Sequence, residues 1–407
     1  MSKTRLPFLL SMGLTLSLAS CGAISPAASI EESSFEEKTQ SQSPDSDHSS
    51  TPIFITEETT YMPTSKETPS YFDFSSRCYE HLEYIDANLK DRDILRKASN
   101  SHEAAKDYIK DILFKAGYTD IREQPFAYGK YQATNVICSI KGKNSEKKVI
   151  IGAHYDGDGT GDNGSGVALL LAVAENLCGI TPEADVELVF FDVEEEGLYG
   201  SKAYVDSLTD EDLGKIIYMV NIDAIAFGDY PNIYGGRQNR NGDVTNLEAY
   251  DLALNKAREL GYKVWDTAML DGYFKQHQTG PEIAEGSFYT NPWTKENDAP
   301  KNGGTYSPTT LDASDHVPFN NKGIPIVYFE ATNWFAKGDG GRDAYTGYYE
   351  TYDTTIGYYG MFMNTEYDTL SNLEKYFPGR AMEHFALYCP LLSSLILNPF
   401  GSSTPKI

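Results

Sequence analysis

Four short stretches of the chain carry side chains suited to holding a divalent cation. They are His154-Tyr155-Asp156, Asp162-Asn163-Gly164-Ser165-Gly166, Glu194-Glu195-Glu196-Gly197 and Asn221-Ile222-Asp223. Zinc accepts imidazole nitrogen and carboxylate oxygen, and a paired site needs a carboxylate able to bridge two ions about 3.5–4 Å apart. His154, Asp162, Glu195 and Asp223 supply that set, which is the layout of a two-metal hydrolase.

Position along the chain strengthens this reading. The runs 149–153 (VIIGA), 186–193 (VELVFFDV) and 216–222 (IIYMVNI) are short and mostly apolar, as expected of strands buried on both faces of a parallel sheet. The first, third and fourth donor groups therefore stand at the carboxyl end of a strand, where open α/β sheets place their ligands. Around them, 166–177 (GVALLLAVAENL) is apolar on most faces, as in a helix packed on a sheet, and 247–260 has an amphipathic period. A late strand over 324–329 and a closing helix over 388–397 complete an α/β domain with a mostly parallel central sheet flanked by helices.

Other uses of the same residues meet specific obstacles. A calcium loop begun at Asp156 needs a Glu where Val167 stands, and Thr160 fills another ligand position. A serine-nucleophile elbow, G-x-S-x-G, fails at Asn163, so Ser165 belongs to the turn into the next helix. Acidic runs such as Glu194 to Glu196 usually lie on solvated surface, but this one directly follows an apolar strand.

These motifs together resemble the M28 family of zinc aminopeptidases and carboxypeptidases, which also includes glutaminyl cyclases. His154 and Asp156 match its H-x-D, Asp162 its D-D/N-x-S-G, and Glu194-Glu195 its E-E-x-G-x-x-G-S. Asp223 matches N-x-D, Ser314-Asp315-His316 its S-D-H-x-x-F, and Gly323-Ile324-Pro325 its G-I-P. The resemblance implies a zinc-exopeptidase (phosphorylase/hydrolase-like) architecture and an aminopeptidase hydrolysing the N-terminal residues of peptides through a metal-activated water. It further implies that Asp162 bridges two zinc ions, with His154 and Asp223 completing one site and Glu195 the other. Glu194 would be the general base, Asp156 would orient His154, and Asp315 and His316 would border the site.

One position departs from the family. Its fifth ligand is a histidine in a segment like Y-H-T-x-x-D-T-L, and here Met363-Asn364-Thr365-Glu366-Tyr367-Asp368-Thr369-Leu370 places Asn364 there. An amide oxygen is a weaker zinc donor than imidazole, so one tightly held zinc and one loose divalent ion, or a single ion, is expected. Two alternatives stay open: a single-zinc enzyme like the glutaminyl cyclases, and a metal-deficient lipoprotein that binds peptides without cleaving them.

The N-terminus reads as an address. Lys3 and Arg5 precede the mostly apolar stretch 6–18, and Leu18-Ala19-Ser20-Cys21 resembles a bacterial lipoprotein cleavage box. Residues 1–20 would be the signal, Cys21 the lipidated first residue, 21–75 a Ser/Thr/Pro/Glu-rich disordered tether and 76–400 the catalytic domain, held extracytoplasmically on the cell membrane. Asp and Glu outnumber Lys and Arg by 59 to 34, a net charge of -25, which excludes nucleic acid as an expected partner. The five cysteines leave their pairing open; Cys78 with Cys389 is one possibility.

Overall fold

The computed structural model describes residues 74–95, 100–239, 243–277, 280–290, 308–309, 313–333, 350–353 and 355–400. The expected signal and Cys21 lie outside these residues, as do all but the last two positions of the expected tether.

The first helices are α1 (Ser75–Asn88) and α2 (Ser101–Ala116), followed by strands β1 (Ile121–Tyr128), β2 (Tyr131–Ile140) and β3 (Asn144–His154). Next come α3 (Gly164–Leu177), β4 (Ala184–Phe191), α4 (Tyr199–Asp206), α5 (Asp210–Lys215), β5 (Ile216–Ile222) and β6 (Tyr230–Gly235). Two-residue strands β7 (Arg237–Gln238), β8 (Val244–Thr245), β9 (Lys263–Val264) and β10 (Ser287–Phe288) interleave with α6 (Glu248–Glu259) and α7 (Thr267–Phe274). The chain closes with α8 (His316–Asn321), β11 (Ile326–Thr332), α9 (Leu370–Tyr376) and α10 (Arg380–Leu397).

Seven strands form one sheet in the order β1-β2-β4-β3-β5-β11-β6. The expected mostly parallel sheet is parallel in its four middle strands, β4, β3, β5 and β11, and antiparallel at both margins. A tight hairpin at Tyr128 and Tyr131 joins β1 to β2, and only antiparallel strands can be joined that way. At the exposed edge, β1 carries Arg122, Glu123 and Pro125, residues that discourage pairing with another chain.

Side chains alternate across the sheet as the pleat requires. Val149, Ile151 and Ala153 of β3, with Val186, Leu188 and Phe190 of β4, enter the larger core under α1, α3 and α10. Ile150, Val189, Phe191 and Met219 enter the smaller one, with Tyr204 of α4 and Phe319 of α8. Each fully buried Leu or Phe contributes about 1.5–3 kcal/mol by leaving water. The late strand runs to Thr332 rather than stopping at 329, and the last helix starts at Arg380 rather than 388, its polar first turn having hidden the apolar period.

α3 shows how this core fixes the site. Its residues from Gly164 to Ala174 are buried on all sides, so solvent dictates no amphipathic face. The helix starts at Asn163, whose side chain accepts Gly166 N–H (2.9 Å) and Ala224 N–H (3.2 Å) and donates to the Ile222 carbonyl (2.8 Å). One side chain thus caps α3 and ties it to the end of β5, setting Asp162 beside Asp223.

On the far end of α3, Glu175 accepts Arg77 through both oxygens (2.7 Å each) and lies 3.0 Å from His81 Nε2. Although burial opposes it, Arg77 holds the Glu175 carboxyl down at about 2. A depressed carboxylate contributes stability above its unfolded value near 4.5 that is lost as pH falls through about 2. Arg77 is 41% exposed, which screens the pair, so Glu175→Gln is expected to cost about 1–2 kcal/mol at pH 7. Urea denaturation at pH 7, 4 and 2 should show that gap beginning to narrow at pH 4 and largely closed at pH 2; a gap of the same size at pH 2 would rule the ion pair out as its source.

Candidate metal centre

Three neighbouring parallel strands deliver the site. His154 is the last residue of β3, Asp223 follows β5 directly, and Glu194 stands just beyond β4. Asp162 comes from the loop that leaves β3 and enters α3. His154 Nε2 lies 3.2 Å from Asp162 Oδ1, 3.2 Å from Asp223 Oδ1 and 4.0 Å from Glu194 Oε2. Ligand atoms of His154, Asp162 and Asp223 all fall within 4.8 Å of one another.

The donor set fits a zinc ion. Bonds of about 2.0–2.1 Å in a tetrahedron put neighbouring ligand atoms roughly 3.3 Å apart, close to the two separations around His154. The charge balance points the same way. Asp156, Asp162, Asp223, Glu194 and Asp315 are all buried around one imidazole. Burial and then the Asp223 carboxylate push Asp162 up to about 6, and burial raises Glu194 well above its usual range against the pull of His154. Asp223 stays below its ordinary value because His154 outweighs the cost of burial, helped by the Ser314 hydroxyl at 2.7 Å. A divalent cation among such groups offsets their mutual repulsion.

Backbone and side-chain contacts hold these donors in place. Asp156 accepts the N–H groups of Glu194 (3.0 Å) and Glu195 (3.2 Å), which fixes the acidic loop to the β3 end. Its oxygen lies 3.5 Å from His154 Nδ1, a loose contact rather than a well-formed hydrogen bond. Asp368 accepts Gly161 N–H (2.5 Å) and Asp162 N–H (3.1 Å). Gly159 allows this approach, since a Cβ there would sit 2.2 Å from Asp368 Oδ2. Val193, just before Glu194, has φ of 57°, a conformation rare for a β-branched residue and held only where the surroundings enforce it.

Sequence reasoning overlooked Arg92. It is 2% exposed, and it donates to the carbonyls of Tyr155 (2.8 Å), Gly159 (2.7 Å) and Leu89 (3.0 Å) while its own N–H reaches Gly157 (3.0 Å). A buried cation therefore grips the 155–159 loop from behind. No motif marks it; a lone arginine in a polar stretch reads as surface. Ser314, Asn221 and Asp368 stood inside quoted motifs but had no role until the fold brought them together: Asn221 donates to Ser314 Oγ (2.7 Å), which in turn donates to Asp223.

The second expected site is less complete. The Glu195 side chain lies over Gly157, with both its Cγ and its Oε1 near that position, and burial and then the Asp162 charge push its carboxyl up to about 9. Asn364 does reach the centre, with Nδ2 3.4 Å from Asp162 Oδ2. Asp315 is fully buried, and burial, against the pull of His154, pushes it up to about 7; neither of its oxygens makes a well-formed hydrogen bond among the described residues. His316 stacks on Tyr328, His384 bonds the Ile225 carbonyl, and His277 lies at Tyr273, so among the described residues the donor cluster holds one histidine.

The four-strand parallel centre, its flanking helices and the donors at the strand ends define an α/β protein with a candidate metal centre at the carboxyl edge of its sheet. Residues 135–274, which include His154, Asp156, Asp162, Glu194, Glu195 and Asp223, match the model of peptidase family M28. Leucine aminopeptidase 2 of Trichophyton equinum is 39% identical over 130 residues, 30% of this chain and 26% of that protein. A probable lipoprotein aminopeptidase of Mycobacterium tuberculosis is 41% identical over 102 residues, 24% of this chain and 20% of that protein. The chain thus spans about a quarter of the length of these relatives. The solved glutaminyl cyclase of an Acidobacteriales bacterium shares the fold, with a TM-score of 0.53 at 18% identity, covering 83% of this chain and 98% of that one.

Proposed function

We propose that the chain is a zinc-dependent exopeptidase, an aminopeptidase that removes N-terminal residues from peptides. The observation that carries this reading is the convergence of His154, Asp162 and Asp223 beside Glu194, within the segment that matches peptidase family M28. Zinc, when bound, supplies Lewis acidity toward a carbonyl and acidifies water. His154, Asp162 and Asp223 would hold it, and Glu195 with Asn364 would line a weaker second position. Glu194, reaching within 4.0 Å of the same imidazole nitrogen, takes a proton from the attacking water and passes it to the leaving amine. Asp156 fixes Glu194 through its backbone N–H and stands behind His154. The free ammonium of the substrate is drawn to this acidic cleft.

A single-zinc cyclase is the second reading, favoured by the single metal-capable cluster among the described residues. Purified protein assayed with and without a chelator on aminoacyl-amide and N-terminal glutaminyl peptides distinguishes them. Zinc-dependent release of the first residue supports the aminopeptidase. Ring closure of glutaminyl substrates without hydrolysis supports the cyclase, and inactivity on both leaves a peptide-binding lipoprotein.

The domain is held on the outer face of the cell membrane by a lipid on Cys21, through the linker at 21–75. Among the described residues no helix is long and apolar enough to cross a membrane. Cys21→Ala is therefore expected to move the protein from the membrane to the soluble fraction with catalysis unchanged. Cell fractionation tests this, and a variant that stays in the membrane fraction has another anchor.

A further inference from the structure

We propose that Cys78 and Cys389 are joined by a disulfide in the exported protein, linking α1 to α10. The two sulfurs lie 3.2 Å apart, and their residues are 0% and 1% exposed. A disulfide bond measures about 2.05 Å, so closing it needs a shift of roughly 1 Å. Both sulfurs are carried on anchored helices. Beside Cys78, Arg77 is clamped on Glu175. Beside Cys389, the Tyr388 hydroxyl donates to the carbonyls of Asn232 and Glu330, and Ser393 Oγ donates to the Cys389 carbonyl. Each thiol thus faces the other across a packed helix interface in the larger core.

The inference is independent of the catalytic reading. It requires only an oxidising compartment, where disulfides persist. Formation proceeds by exchange with a disulfide oxidant, R–S–S–R. One cysteine thiolate attacks it and releases one R–S⁻, then the second cysteine thiolate attacks the mixed disulfide and releases the other. The two protein thiols lose two protons and two electrons, and the oxidant becomes two thiols. Because neither sulfur is exposed in the folded protein, the bond forms before α10 seats against α1 and is afterwards shielded from reductants. It would close a loop of about three hundred residues, a span for which chain-entropy models give large stabilisation.

The full chain, produced with its own N-terminus and recovered after export, is denatured in N-ethylmaleimide, digested and mapped by mass spectrometry, with reduction only in a second sample. The expected result is a linked pair of peptides bearing Cys78 and Cys389, unlabelled until reduction, with Cys138 and Cys178 labelled at once. Protein refolded in a glutathione redox buffer should give the same pair. Thermal denaturation adds a second readout: reductant applied during unfolding should lower the wild-type midpoint by about 5 °C or more and leave a Cys78→Ala/Cys389→Ala variant unmoved. Full labelling of Cys78 and Cys389 before reduction in both preparations, or their recovery in links to other cysteines, overturns the proposal.

Discussion

Glu194→Gln is expected to lower turnover on aminoacyl substrates by at least about 100-fold, with retained zinc unchanged, because general acid–base groups contribute roughly 10²–10⁴-fold. The amide keeps the shape of the side chain and the backbone bond from Glu194 N–H to Asp156, so the loop should stay in place. It cannot accept a proton. Zinc content by elemental analysis and kcat on a leucyl amide, measured on the same preparation, separate the two roles assigned to the acidic pair. Loss of zinc would make Glu194 a ligand, and more than a tenth of wild-type turnover would remove it from the proton path.

The site was legible in the sequence to the extent that one short segment carries both a strand and its donor. VIIGAH ends in His154, and IIYMVNID ends in Asp223; in each, an apolar run predicts the strand and the polar residue marks its carboxyl end. The margins of the sheet were less legible. Whether β2 and β6 run with or against their neighbours is set by pairing with the sequence-distant strands β4 and β11 rather than by composition. Residues that hold the site from a distance were hidden for a different reason. Arg92 and Asp368 act on backbone groups of the 155–162 loop, and a contact between sequence-distant partners leaves no local period or spacing.

Asn364 shows the same division between position and chemistry. The segment MNTEYDTL brings Asn364 to 3.4 Å from Asp162 Oδ2, although nothing in that segment explains how it is held there. The fold supplies the answer. Glu350, buried at 2% exposure, accepts the N–H groups of Phe362 and Met363 and fixes the turn that presents the next residue. Asn364 itself has φ of 56°, the left-handed region that asparagine and histidine enter more readily than most residues.

That backbone makes Asn364→His a clean test of the second metal position, since histidine tolerates the same conformation. Wild-type protein dialysed against trace-metal buffer should keep about one zinc, because an amide near Asp162 is a weak donor, whereas the variant should approach two. The added nitrogen should also raise the preference for zinc over manganese, which carboxylate and carbonyl oxygens hold comparatively better. Elemental analysis gives the stoichiometry, and competition with a chromophoric chelator gives the affinities. If the wild type already holds two zinc ions tightly and the variant changes neither number, Asn364 is not a ligand position. The missing donor would then be sought first at His316, whose ring now stacks on Tyr328 and would have to turn away from it to reach an ion.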